Sequence, residues 1–146
     1  MLFLCTGNSA RSQISEALLR LLGGDDYEAY SAGTSPGSAV NPFAVNVLKQ
    51  RGADTASLYT KSLDRFKGEE FDLVVTVCDS AKRECPVFPG AKVMDHWSLA
   101  DPAAFAGTYE ETLTKFIETR DEIEHRIRDF LMRGRLYNDP AGSLHL

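Results

Sequence analysis

The sequence has little of what would commit it to a membrane, to nucleic acid or to a disulfide scaffold. No apolar run approaches the ~18 residues that a spanning helix takes, and no charged-then-apolar leader opens the chain. No membrane association is expected, and the chain is expected to be cytoplasmic. Basic side chains are outnumbered, 16 Lys and Arg against 21 Asp and Glu, and the net charge of −5 repels polyanions. Basic clusters interleaved with aromatics are missing, which excludes the usual nucleic-acid binders. Cysteine is scarce. Three thiols cannot all pair, and in a reducing compartment they read as redox or catalytic groups. His96, His125 and His145 are scattered, and the spacing of Cys78, Cys85 and His96 fits no common zinc ligand set, so no metal and no bound cofactor are expected.

What is present describes a globular domain. The 146 residues are 43% hydrophobic and 25% charged, enough for a core and too short for two ordinary ones. One domain over 1–134 is expected, followed by a polar tail over 135–146, in a monomeric protein. The run Met1–Leu4 reads as a strand. Ile14, Ala17, Leu18, Leu21 and Leu22 then recur at helical spacing until Gly23-Gly24 stops them. A short strand is expected over Tyr27–Ala32, followed by a Gly/Ser/Pro loop to Asn41. That residue caps a helix begun by Pro42 and ended by Gly52. Residues 53–70 read as a connection with a short helical turn. The β-branched run Phe71–Val77 suits a strand buried on both faces, and Lys92–Trp97 a fourth strand. Tyr109, Leu113, Phe116, Arg120, Ile123, Ile127 and Phe130 trace a long amphipathic helix. The alternation implies an α/β fold: a small doubly wound, four-stranded parallel sheet with helices on both faces. Ligand sites in such sheets lie beyond the C-terminal strand ends, and Cys5, Cys78 and Asp101 all fall there.

The chemistry concentrates in Cys5-Thr6-Gly7-Asn8-Ser9-Ala10-Arg11-Ser12, between the first strand and the first helix. Such a loop aims backbone N–H groups and the positive end of the helix dipole at one point, a cradle for a tetrahedral oxyanion. Arg11 can add a bidentate clamp. The same field should lower the Cys5 pKa and hold a thiolate nucleophile, with Ser12 hydrogen-bonded to the sulfur and Asn8 bracing the backbone.

Cys5 to Ser12 resembles the phosphate-binding loop of the low-molecular-weight protein tyrosine phosphatases and of the arsenate reductases that share their fold. The resemblance implies that Thr6, Gly7, Asn8, Ser9, Ala10, Arg11 and Ser12 bind the substrate oxyanion. It implies no choice between the two activities, because arsenate and phosphate have the same shape. Asp101-Pro102 matches the place where both families carry a general acid.

Cys78 discriminates. A phosphatase clears its phospho-cysteine with water, whereas a reductase needs two electrons, and a second thiol attacking the Cys5–arsenic adduct supplies them. Val75-Thr76-Val77-Cys78, followed by Cys85-Pro86, resembles the thioredoxin-coupled arsenate reductases, as does Asp95-His96-Trp97 leading to Asp101-Pro102-Ala103. Ala103 and Ala104 stand where the phosphatases usually carry an aromatic residue. The resemblance implies Cys5, Arg11, Cys78, Cys85 and Asp101 as catalytic residues, with arsenate as substrate and phosphate or sulfate as competitors. Thioredoxin is the implied external reductant, accepting a disulfide passed from Cys78 to Cys85. A phosphatase with incidental cysteines and a non-catalytic anion-binding module are the alternatives. Were residues 78–85 regular helix, the two cysteines would lie about 10 Å apart along it. A disulfide needs Cα atoms within about 7 Å, so a redox-dependent rearrangement of residues 79–91 is expected.

Overall fold

The structure is a computed structural model and describes residues 1–138. Strand β1 (Leu2–Cys5) leads through the loop into helix α1 (Arg11–Gly23), then β2 (Tyr30–Gly33) and α2 (Pro42–Arg51). Strand β3 (Phe71–Thr76), α3 (Asp79–Glu84), β4 (Ala91–His96) and α4 (Tyr109–Asn138) follow, with 3-10 turns at Leu63–Phe66 and Pro102–Ala104. The sheet order is β2-β1-β3-β4 with every pair parallel. From the central β1 the chain winds first to one edge and then to the other. The reversal falls between β1 and β3, the crevice where open α/β sheets bind ligands. Cys5 ends β1, and Cys78 lies just past the end of β3.

Alternation along β1 sorts the core into two layers. Phe3 and Cys5 face a large cluster built with Ile14, Leu18, Val47, Phe116, Ile123 and Ile127 from α1, α2 and α4. Leu2 and Leu4 face the opposite cluster with Val74, covered by Leu63 and Phe66 of the 3-10 turn and by Phe88. Helical elements thus pack on both faces, as expected. Cys5 and Cys78 belong to the first layer and Cys85 to the second.

Local signals explain the helix ends. Asn41 Oδ1 accepts the Phe43 N–H at 2.8 Å, Pro42 opens α2, and Gly52 closes it at φ 85°, a left-handed conformation that suits glycine. Two boundaries and one helix face differ from expectation. Strand β2 begins at Tyr30, and residues 27–29 form an unpaired link to it from a 3-10 turn at Gly24–Asp26. Leu21 is exposed: α1 buries Leu19 as well as Ile14 and Leu18, so its buried stripe turns away from that position. Helix α4 continues through Gly134 to Asn138, since one helical glycine costs only about 1 kcal/mol. Of the tail expected over 135–146, residues 139–146 lie outside the described residues. Among the described residues no helix is long and apolar enough to cross a membrane.

Arg51 grips Glu124 with two nitrogens, at 2.7 and 3.1 Å, and so ties α2 to α4. The pair holds the Glu124 carboxyl below its ordinary 4.5, so its stabilisation is present above that pH and is lost as pH falls through the folded-state value. Glu124→Gln should lower the thermal midpoint at pH 7 and flatten its dependence on pH between about 3 and 5. Calorimetry across that range checks this, and parallel curves for parent and variant would contradict it.

Candidate active site

The loop between β1 and α1 is shaped from behind. Residues 34–41 run alongside it and donate to its carbonyls: Thr34 to Cys5 at 3.1 Å, Ser35 to Thr6 at 2.9 Å, Gly37 to Gly7 at 2.9 Å and Asn41 to Ser9 at 2.8 Å. With its carbonyls turned outward, the loop directs N–H groups inward. Ala10 is the N-cap of α1 and offers no side-chain acceptor, and no acidic residue stands in the first turn, so the helix keeps its positive end for an anion. Gly33 permits the close approach, for a Cβ there would lie 2.5 Å from the Thr6 carbonyl oxygen.

Asn8 is the brace. It sits in the left-handed region at φ 50°, where Asn is among the tolerated residues. Its Oδ1 accepts from the Lys61 N–H at 2.9 Å and from Gln13 Nε2 at 3.0 Å, which fixes the amide orientation. Nδ2 therefore points to Ser12 Oγ, 2.7 Å away. Having accepted that bond, the Ser12 hydroxyl is free to donate to Cys5 Sγ at 2.8 Å, and the Asn8 N–H donates to the same sulfur at 3.1 Å. Behind them Glu16, Lys61 and Ser31 are buried together. Glu16 Oε1 accepts from the Ser31 hydroxyl at 2.8 Å and lies 3.6 Å from Lys61 Nζ.

The expectation of a standing thiolate is corrected. Burial pushes the Cys5 thiol above its ordinary value and outweighs the Ser12 hydroxyl and the Ser12 and Asn8 N–H groups, which pull it down. The Arg11 charge lies elsewhere. Its guanidinium donates to the Leu99 carbonyl at 2.9 Å and stands 3.8 Å from Asp101 Oδ2. Asp101 heads a 3-10 turn, with Oδ1 accepting the Ala103 N–H, and its side chain remains accessible.

The structure brings Cys78 to this loop. Its sulfur lies 3.6 Å from Thr6 Oγ1 and caps α3 by accepting the Ala81 N–H. Cys85 is apart, at the other end of α3 in the opposite core layer. There it donates to the Val87 carbonyl, and burial raises its pKa. Cys5, Thr6, Asn8, Ser12, Arg11, Asp101 and Cys78 thus share one sheet edge, and Cys85 does not. Sequence reading missed the carbonyl ladder from residues 34–41, which showed only as a turn-rich stretch. It also missed Gln13, Glu16 and Lys61, whose partners come from distant positions.

A buried cysteine under inward amides at a helix N-terminus, on the switch point of a parallel sheet, defines a protein that can attack a bound oxyanion with sulfur. Residues 1–139 match the low molecular weight phosphotyrosine protein phosphatases, and the chain belongs to that family. Within it, an arsenate reductase of Halalkalibacterium halodurans is 41% identical over 133 residues, 91% of this chain and 95% of its own. The arsenate reductase of Bacillus subtilis is 39% identical with the same coverage. A thioredoxin-dependent arsenate reductase of Corynebacterium glutamicum superposes with a TM-score of 0.73 at 30% identity, covering 94% of this chain and 62% of that one.

Ser12→Ala removes one of the donors that pull the Cys5 pKa down against burial. With Cys78 and Cys85 both replaced by serine, the alkylation of Cys5 by iodoacetamide should shift to higher pH by about one unit, since a hydrogen bond to a charged group is worth roughly 1.5–3 kcal/mol. An unmoved profile would mean that Ser12 does not stabilise the thiolate.

Proposed function

We propose that this protein reduces arsenate to arsenite by a relay of Cys5, Cys78 and Cys85, regenerated by thioredoxin. The observation that carries this reading is the second buried thiol at the oxyanion loop, Cys78 beside Thr6. Hydrolysis of a phospho-cysteine has no use for that thiol. The arsenate reductase relatives at about 40% identity support the same reading.

In this reading the N–H groups of residues 6–12 hold arsenate, and Arg11 leaves Leu99 and Asp101 to clamp it. Phosphate and sulfate compete for the same cradle. Cys5 sulfur attacks arsenic, a sulfur–arsenic bond forms, and an arsenate oxygen departs as water with a proton supplied by Asp101. Cys78 then attacks the Cys5 sulfur. The sulfur–sulfur bond forms, the sulfur–arsenic bond breaks, and the electron pair stays on arsenic, which leaves as arsenite. Two thiols are oxidised to a disulfide for the two electrons gained by arsenic. Cys85 attacks Cys78 next, which frees Cys5 and moves the disulfide to Cys78–Cys85, where the dithiol of thioredoxin reduces it. No bound cofactor is asked for.

A second reading follows from the family itself: a tyrosine phosphatase working through a Cys5 phospho-enzyme, with Asp101 as acid. The two separate on the cysteines. Arsenate-dependent NADPH oxidation, with thioredoxin and its reductase present, should turn over many times in the parent. It should stop after at most one equivalent of arsenite in Cys78→Ser and Cys85→Ser. Sustained turnover in Cys78→Ser would refute the relay. Aryl phosphate hydrolysis that survives both substitutions, without arsenate reduction in the parent, would establish the phosphatase.

A further inference from the structure

Helix α3 has six residues, well short of the ~12–15 at which an isolated helix becomes even marginally stable, so its ends must be held by other elements. They are held unequally. Thr76 and His96 are the last residues of β3 and β4 and stand opposite each other in the ladder. The His96 ring spans the gap beyond them. Nδ1 is 2.7 Å from the Thr76 hydroxyl, and Nε2 is 2.9 Å from Oδ1 of Asp79, the first residue of α3. The Ser98 hydroxyl donates to the same Asp79 oxygen at 3.1 Å. Asp79 can only accept, so His96 carries its proton on Nε2. Together the His96 and Ser98 bonds hold the Asp79 carboxyl below the usual carboxylate range. The backbone continues the clamp, with the Trp97 N–H donating to the Thr76 carbonyl at 2.9 Å.

The C-terminal half of α3 has no such fastening. Lys82, Arg83 and Glu84 are exposed. Among the described residues Arg83 hydrogen-bonds only Ser80 of the same helix, and the Cys85 N–H is held by Ala81 within the turn. A Cys78–Cys85 bond requires a span of about 10 Å to close to about 7 Å or less, so one end of α3 has to let go. Release of the first turn would take Cys78 away from Thr6. Uncoiling of the second half would leave Cys78 where it is.

The geometry points to His96 as a positioning residue: with Thr76, Asp79 and Ser98 it clamps the first turn of α3 to the strand ends, so that Cys78 stays on the oxyanion loop while Cys85 travels to it. The role rests on the arsenate reduction proposed above. It gives His96, a residue that contacts no substrate, control over the second thiol attack and none over the first.

The test uses full-length protein. In a Cys85→Ser background with saturating arsenate, one equivalent of arsenite is released per chain, at a rate that reports how well Cys78 is seated. His96→Ala should slow this release at least tenfold while leaving the alkylation rate of Cys5 and the half-saturating arsenate concentration unchanged. His96→Gln, which restores a donor near the Nε2 position, should recover most of the rate. Release at the parent rate in His96→Ala, or an equal loss of Cys5 alkylation, would overturn the proposal. A second measurement does not need arsenate. Diamide oxidation of the otherwise unmutated chain should link Cys78 to Cys85, shift the amide resonances of residues 82–90, and leave the His96 ring nitrogen resonances in place. Failure to form that bond, or loss of the reduced-state His96 resonances on oxidation, would also overturn the proposal. A parent that releases no arsenite yet keeps those resonances would discard arsenate reduction and retain the clamp.

Discussion

The site depends on the amide of Asn8. A single side chain joins the backbone at Lys61, the Gln13 side chain and the Ser12 hydroxyl, and it does so from a left-handed backbone conformation. Because Oδ1 is committed to donors, Nδ2 must face Ser12, and because Ser12 accepts there, its own proton goes to the sulfur. Each bond fixes the direction of the next, which is how buried polar networks specify one arrangement. The loop carbonyls, tied back to residues 34–41, complete the shell.

Burial sets the cost of this arrangement. Cys5 is withdrawn from water and its thiol is held up in pKa, while the guanidinium that would oppose this sits on the rim against Leu99 and Asp101. The donors around the sulfur are thus already aimed, while the charge is held on the rim.

Much of this was legible in the chain. The β-branched run at Phe71–Thr76, the stop at Gly52 and the helical spacing of Phe116, Ile123 and Ile127 are local signals, and the elements formed where they stood. Cys5, Cys78 and Asp101 could be placed on one edge because each lies at or beyond the C-terminal end of a parallel strand. The sign of the Cys5 shift was not legible, since it turns on how deeply the whole core buries one sulfur. Nor were the contacts of His96 with Asp79 or of Lys61 with Glu16, which join residues 17 and 45 positions apart and leave no periodic trace. Helix α4 runs past the expected boundary at 134, because a single glycine such as Gly134 is a weak terminator.

The division of the cysteines between two core layers has a further consequence. Cys5 and Cys78 lie against one side of the sheet and Cys85 against the other, so the sheet stands between them. In the proposed relay, closure of the second bridge therefore draws Cys85 past the strand ends, out of its own layer and into the one that holds Cys78.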